Sequence, residues 1–429
     1  MIPGGPQGAK PRRPPGADVP PQAKDVSAPP AKGLRPGGVF TPNVIALGVV
    51  SLLTDASSEM IYPLLPLFLS TVLGAGPAFV GLIEGIAEST ASLLKLVSGR
   101  LSDRWRRRKA LVFAGYALSS CARPLVAAAG VPWHVLAVRF VDRVGKGVRT
   151  SPRDALLADS TDPDHLGRAF GFQRAMDHLG AVAGPLVASG LVYGLGWGLR
   201  AVFWAAAVPG LASLFVLGAA VSELPPRSRE AERARGPTPE GASAIPRCFR
   251  TYLLVVVLFT LGNSSDAFLL LRAQELGVGA AALPLLWVAL HIVKSATATP
   301  LGGLSDRWGR RRVIALGWFL YAGVYAGFAV AAGPRAMWAL VVIYGVYYGL
   351  TEGVERALVA DLVPSEARAT AYGWFHTAIG VAALPASLAA GALWQARGSA
   401  WAFGFGGALA LAAALLLSVA LRPALRRED

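Results

Sequence analysis

From residue 43 to residue 422 the chain is a succession of long apolar stretches, 251–261 and 402–421 among them, divided by short charged or Gly- and Pro-bearing turns. A membrane-crossing helix needs about 20 predominantly apolar residues. An outer-membrane barrel would instead show alternating segments of about ten residues, so the pattern predicts helices. Three polar segments interrupt it. Residues 1–42 are rich in Pro and Gly and contain no apolar h-region, which predicts a disordered cytoplasmic tail rather than a cleaved signal peptide. Residues 222–247 mix Arg, Glu and Pro and read as a cytoplasmic linker, and 423–429 form a short cytoplasmic C-tail. The remainder has room for about twelve spans. They divide into an N-terminal six-helix bundle over 43–221 and a C-terminal one over 248–422.

The halves repeat. Leu101-Ser102-Asp103-Arg104-Trp105 recurs as Leu304-Ser305-Asp306-Arg307-Trp308, and Ala155-Leu156-Leu157-Ala158-Asp159 as Ala357-Leu358-Val359-Ala360-Asp361. Gly180-x-x-x-Gly184-Pro185 recurs more weakly as Gly380-x-x-x-Leu384-Pro385. Echoes at nearly one offset indicate two homologous halves, the layout of many secondary transporters, with substrate held between them.

Composition agrees. The chain is 54% hydrophobic and 16% charged, against about 25% charged in an ordinary soluble protein, which excludes a soluble multidomain enzyme. The net charge of +15 suggests nucleic acid only until the charges are placed. Lys10, Arg12, Arg13, Lys24, Lys32 and Arg35 lie in the N-terminal tail, Arg104 and Arg106–Lys109 in one loop, and Arg307 and Arg310–Arg312 in its repeat. Arg227, Arg229, Arg233, Arg235 and Arg247 fill the linker, and Arg422, Arg426 and Arg427 the C-terminus. This is the positive-inside bias. It predicts a multi-pass protein of the inner (plasma) membrane with both termini cytoplasmic, whose partner is the lipid bilayer and not nucleic acid. Cys121 and Cys248 sit in no C-x-x-C and read as small packing residues.

The repeated loops resemble the G-x-x-x-D-R-x-G-R-R signature of the major facilitator superfamily. The second copy is intact at Gly302, Asp306, Arg307, Gly309, Arg310 and Arg311. The first keeps Gly99, Asp103, Arg104, Arg107 and Arg108 but has Arg106 where the glycine is expected. The resemblance covers about 40–422. It implies an all-α membrane protein with twelve transmembrane helices in two pseudo-symmetric six-helix bundles. It also implies that these loops fasten neighbouring helices and influence the conformational switch without touching substrate. Gly180, Gly184 and Pro185 resemble the fifth-helix G-x-x-x-G-P motif of antiporters, with Ala188-Ser189 in place of the usual glycine pair. Arg143-x-x-Lys146-Gly147 is similar to the fourth-helix R-x-x-Q-G motif, with Lys in place of Gln. Together these two imply export by antiport.

Charges within the spans carry the chemistry, because a charge at the bilayer centre costs about 2.5–3.5 kcal/mol on insertion scales and must be paired or face water. At helical spacing Asp55, Ser58, Glu59 and Tyr62 share one arc of the first helix, and Glu84, Glu88 and Lys95 one edge of the second. Arg139, Asp142, Arg143, Lys146, Arg149 and Arg153 form a stripe on the fourth, and Arg174, Asp177 and His178 lie one turn before Gly180. In the second half the candidates are Asn263 and Asp266, then His291 and Lys294, then Tyr344, Tyr347, Tyr348, Thr351, Glu352 and Glu355 on the tenth helix, with His376 on the eleventh. In the resembling family the first, fourth, seventh and tenth helices line the central cavity, which implies that the fourth-helix stripe faces the tenth-helix tyrosines and glutamates. Asp55 and Glu59, one turn apart, repel each other when both are charged, which suits a carrier that loads and releases protons. Arg149 and Arg153 occupy positions corresponding to Glu352 and Glu355 in the other half, and a salt-bridge gate between these two pairs is expected.

No H-E-x-x-H, phosphate loop or metal-ligand spacing of His134, His165, His178, His291 and His376 is present, so no enzyme, metal or cofactor is expected. The 4, 3, 3, 4 spacing of the fourth-helix cations, with Asp142 among them, is not that of a voltage sensor. The reading is a monomeric secondary transporter working by alternating access, with proton-coupled efflux of a small molecule by antiport. The alternative is proton-coupled uptake of an organic anion by symport, because the stripe offers many cationic donors.

Overall fold

The computed structural model describes residues 38–75, 77–223, 246–279 and 282–420, with Met1 and Gly4. The expected N-terminal tail before residue 38, nearly all of the 222–247 linker and the 423–429 tail lie outside the described residues.

The first span, Pro42–Glu59, continues through a 3₁₀ turn, Tyr62–Leu64, into Leu65–Thr71. The second is Pro77–Trp105. The third, Arg108–Ala122, runs into a 3₁₀ stretch, Arg123–Ala128, and the fourth is Pro132–Asp159. The fifth, Leu166–Ser189, ends in a π turn at Gly190–Gly194, and the sixth is split as Leu199–Ala205 and Ala207–Ala220. The seventh is broken into Arg247–Gly262 and Ala267–Glu275, and the eighth is Leu283–Trp308. Arg310–Val330, Pro334–Leu362, Arg368–Arg397 and Ser399–Ala420 complete the twelve.

Local chemistry sets the ends. Thr41 caps the first helix by accepting from the Val44 N–H at 3.3 Å, and Pro42, Pro132 and Pro334 sit in first turns, where their missing N–H costs nothing. Gly309, Gly333 and Gly398 take positive φ between spans. Arg106, at the position of Gly309 in the repeat, also takes positive φ (51°), so the turn forms in the first copy with a residue that strains it.

Eight of these helices are long and apolar enough to cross a membrane by length and composition alone. The second, fourth and eighth are too polar and the seventh is too short in either piece. The fourth shows why such a helix still belongs in the bundle: Arg139, Asp142, Arg143, Arg149, Arg153 and Asp154 are all buried in protein, away from lipid. The outward surface is the reverse, with Leu186, Val187, Phe215, Leu254 and Val419 at least half exposed. In water so broad an apolar exterior would aggregate; against lipid it is the favourable face.

Small residues set the closest approaches. The two bundles meet where the fifth span packs on the eighth and tenth, and the second on the eleventh. At Gly353 a Cβ would come within 2.8 Å of the Gly171 nitrogen, and at Gly373 within 2.8 Å of the Lys95 carbonyl oxygen. All of these contacts lie toward the end of the molecule that carries the two Leu-Ser-Asp-Arg-Trp loops.

Candidate functional site

Asp142 organises the first bundle. It accepts from Arg123 Nε at 2.7 Å and from the Tyr62 hydroxyl, and it lies 3.7 Å from Arg139 Nη1 and 3.9 Å from Arg143 Nε. The guanidinium carbons of Arg139 and Arg143 stand 3.7 and 5.4 Å from the Tyr62 ring centroid, a cation–π arrangement. Arg123 also donates to the Thr54 carbonyl at 3.0 Å, tying the third span to the first. One carboxylate thus serves three guanidinium groups. Arg143 is buried, and its Nε makes no hydrogen bond among the described residues.

On the fifth span Gln173 Nε2 donates to both Asp177 oxygens at 2.9 Å and to Ser51 Oγ at 2.8 Å. Arg174 pairs with Asp177 and reaches across to Glu352 of the tenth span at 3.6 Å. His178 Nε2 lies 2.8 Å from the other Glu352 oxygen. A second cross-bundle cluster centres on Asp154, whose side chain is 0% exposed: Arg153 lies at 2.9 Å, His376 Nε2 at 2.8 Å and Arg356 at 3.6 Å.

The first-helix pair stands apart from these networks. Among the described residues neither the Asp55 nor the Glu59 carboxylate has a hydrogen bond or an ion pair. The fifth span lies directly against them: a Cβ on Gly180 would come 3.0 Å from Asp55 Cβ, and one on Gly184 2.7 Å from Glu59 Cβ. The glycines that resemble the antiporter motif therefore bring the fifth helix, with Pro185 in its interior, onto the turn that holds both acids.

In the second bundle Asp266 sits at the break of the seventh span. It accepts from the Tyr344 hydroxyl at 2.8 Å and from the Tyr348 hydroxyl at 3.0 Å, and Lys294 Nζ lies 3.7 Å from it. That ammonium also stands 3.4 Å from the Tyr348 ring centroid.

The expected gate pairs are made differently. Arg149 donates to Ser119 Oγ at 2.8 Å and lies over the Tyr116 ring, Arg153 takes Asp154, and Glu355 accepts from the Trp318 indole at 3.0 Å. Glu352 pairs with Arg174 and His178. The reason is proximity: Asp154 follows Arg153 directly and is wholly buried, so it captures the nearest guanidinium before the tenth span can. Tyr344 and Tyr348 likewise turn to Asp266 rather than to the fourth-helix stripe. Lys146 is half-buried on that stripe. The backbone of Glu84 and Glu88 lies in the second span, but their side chains fall outside the described residues.

The signature loops fasten helices. Asp103 accepts the Ala369 and Thr370 N–H groups at 3.2 and 2.7 Å, at the start of the eleventh span. Asp306 accepts those of Gly167 and Arg168 at 2.8 and 2.9 Å, at the start of the fifth. Each carboxylate satisfies the unpaired donors of a helix N-terminus in the opposite bundle. Arg310 adds a donation to the Pro163 carbonyl at 2.7 Å and an ion pair with Asp361 at 3.0 Å, while Gly99 and Gly302 allow the backbones to meet. Arg104 is exposed.

Arg123, Asp154, Arg356 and Gln173 escape sequence reasoning. One signal was available: Asp154 and Arg356 immediately precede the repeated Ala-Leu-x-Ala-Asp segments, so opposite charges occupy equivalent positions in the two halves.

The profile of the Major Facilitator Superfamily matches residues 47–351 and 252–429, overlapping matches that span nearly all of the chain. The chain belongs to the Major Facilitator Superfamily. An uncharacterized MFS-type transporter of Methanocaldococcus jannaschii is 36% identical over 384 residues, covering 88% of this chain and 94% of that one. The multidrug resistance protein MdtH of Edwardsiella ictaluri is 24% identical over 323 residues, covering 73% and 77%. Among solved structures the human organic anion transporter MFSD10 superposes with a TM-score of 0.70 at 16% identity, covering 88% of this chain and 99% of that one; it shares the fold. The protein is a multi-pass membrane transporter of the superfamily, not an enzyme.

Proposed function

We propose that this transporter exports a small molecule in exchange for protons, taking up the proton at Asp55 and Glu59. One observation carries the reading: two carboxylates without described partners lie one turn apart on the first span, held there by Gly180 and Gly184 of the fifth. A resident ion pair would compete with a proton for these oxygens, and none is described. The multidrug resistance relative supports the export direction. The same reading places the carrier in the inner (plasma) membrane as a monomer, with both termini and the basic loops in the cytoplasm.

The test is a pyranine assay in proteoliposomes holding a pH gradient. Adding ethidium, a lipophilic cation, is expected to drive protons the opposite way. Asp55→Asn and Glu59→Gln are expected to abolish this gradient-driven flux while sparing substrate exchange. Undiminished flux in both variants would refute the assignment.

A second reading, uptake of an organic anion together with protons, is favoured by Arg143. Among the described residues its buried guanidinium has a carboxylate only at 3.9 Å, that of Asp142, which Arg123 and Arg139 share. In the same vesicles 2-naphthoate would then carry protons in its own direction. Arg143→Ala is expected to reduce that flux at least tenfold, since hydrogen bonds to charged groups contribute about 1.5–3 kcal/mol. If Arg143→Ala transports 2-naphthoate as well as the wild type, the stripe is not an anion site.

A further inference from the structure

Asp55 and Glu59 belong to the first bundle, whereas closure is made between bundles, so a proton taken up there needs a route to the interface. We propose that Arg174 is that route, a positioning residue whose charge is divided between the acids of the first bundle and Glu352 of the second. The inference rests on the reading of Asp55 as the proton site.

The contacts run from Ser51 to Glu352, and Asp55 joins them through its charge interaction with Asp177. Ser51, one turn before Asp55 on the first span, accepts from Gln173, which also donates to Asp177. Gln173 Oε1 in turn accepts from Arg174 Nε at 2.9 Å. The Arg174 guanidinium pairs with Asp177 through one nitrogen and reaches Glu352 at 3.6 Å through another. Arg174 thus holds an acid of each bundle at the same time. The charged groups that act on Asp55 are Asp177, Glu59, Lys146 and Arg149. Those that face Arg174 are Asp177, Glu352, Arg153 and Asp154, and Glu352 also faces His178 and Arg356. The His178 ring in turn meets that of His291 on the eighth span at 5.5 Å.

The sign follows from charge balance. With Asp55 ionised, its charge adds to that of Asp177, which acts on both Asp55 and Arg174, so that Arg174 is drawn to Asp177 and its hold on Glu352 weakens. Once Asp55 carries a proton, Arg174 is balanced by Asp177 and Glu352 alone, and the tie across the interface tightens. Protonation therefore favours closure of the end that carries the signature loops. A ligand, here a proton, shifts such an equilibrium only by its differential affinity for the two states.

Spin labels at Trp105→Cys and Trp308→Cys, both exposed at the loop ends of the second and eighth spans, report this closure. The background is Cys121→Ala with Cys248→Ala, in full-length protein in nanodiscs. From pH 8 to pH 5.5 the ratio of short to long distances is expected to rise about tenfold, the factor for a one-unit difference in proton affinity between the two states. Asp55→Asn should show the acid ratio at both pH values. Arg174→Gln should give one ratio at both, and Glu352→Gln, which keeps Arg174 on Asp177, carries the same test if the arginine variant does not fold. A wild-type ratio that does not respond to pH overturns the proposal. If Asp55→Asn still titrates, the proton site is elsewhere and the functional reading falls. If Asp55→Asn is flat while both Arg174→Gln and Glu352→Gln titrate, Asp55 stands and Arg174 is not the link.

Discussion

Asp154→Ala is expected to destabilise the protein by about 3–5 kcal/mol, the cost of removing one partner from a buried ion pair. Asp154 is wholly enclosed and holds Arg153 at 2.9 Å, Arg356 at 3.6 Å and His376 at 2.8 Å. Arg153 comes from its own helix, Arg356 from the tenth span and His376 from the eleventh. Without the carboxylate two guanidinium groups remain buried beside each other, each desolvated and each repelling the other. The penalty falls on the closed arrangement in particular, because two of the three partners belong to the opposite bundle. Thermal unfolding in detergent checks the stability and proteoliposome flux checks the function. Joint replacement, Asp154→Leu with Arg356→Met, should cost less than Asp154→Ala, since apolar side chains of similar size leave fewer charges stranded. A melting temperature for Asp154→Ala within a degree of the wild type would mean that this cluster does not hold the bundles together.

Asp154 also shows where the sequence stops being informative. Spans, loops and halves were legible because each depends on local pattern: apolar length, basic loops and a repeat at nearly constant offset. Even so, hydropathy alone marks eight of the twelve spans. The fourth is hidden by its own chemistry, since it spends its polar residues inside the protein. Candidate acids and bases were legible as residue types at helical spacing, but their partners were not. Neighbours at i and i+1 do not face each other along a helix, so Asp154 beside Arg153 looks unremarkable until a long guanidinium is seen to curl back onto it. Arg123 was hidden for another reason. It stands where the third helix tightens into a 3₁₀ stretch, and nothing in the local sequence says that this end turns inward to Asp142. The seventh span breaks between Gly262 and Ala267, which presents Asp266 to the tenth-helix tyrosines. A broken helix at membrane depth is tolerated where protein surrounds it.

The corresponding contacts in the two halves share a physical logic. Asp103 and Asp306 each bind the start of a helix in the opposite bundle, a contact of charge with backbone that depends on no side-chain titration at the helix end. Farther along the interface, the ties made by Glu352 and Asp154 each include a histidine, His178 and His376. The loop end is therefore held by contacts of charge with backbone at its margin and by buried side-chain pairs farther in.

Gly171→Leu is expected to leave the bundles folded and to slow transport severalfold or more. Gly171 sits on the fifth span where it meets the eighth and the tenth. A Cβ there would lie 2.9 Å from the Ala298 carbonyl carbon and 3.1 Å from Thr299 Cα, and Gly353 of the tenth span packs against the Gly171 nitrogen. These obstacles are backbone, which cannot rotate aside as a flexible side chain would. All of them belong to the other bundle, so the clash exists only while the loop end is closed. Overpacking of this kind costs about 1–3 kcal/mol, which shifts a balance between closed and open forms roughly fivefold to more than a hundredfold. The variant should therefore fold, melt near the wild type and accumulate with its loop end open. Its labelled Trp105 and Trp308 positions should stay far apart at every pH, and its flux should fall by about fivefold or more. Gly373, which stands against the Lys95 carbonyl at the symmetry-related contact of the second and eleventh spans, should respond in the same way to leucine. Wild-type transport by Gly171→Leu would show that alternating access does not require the bundles to meet at this contact.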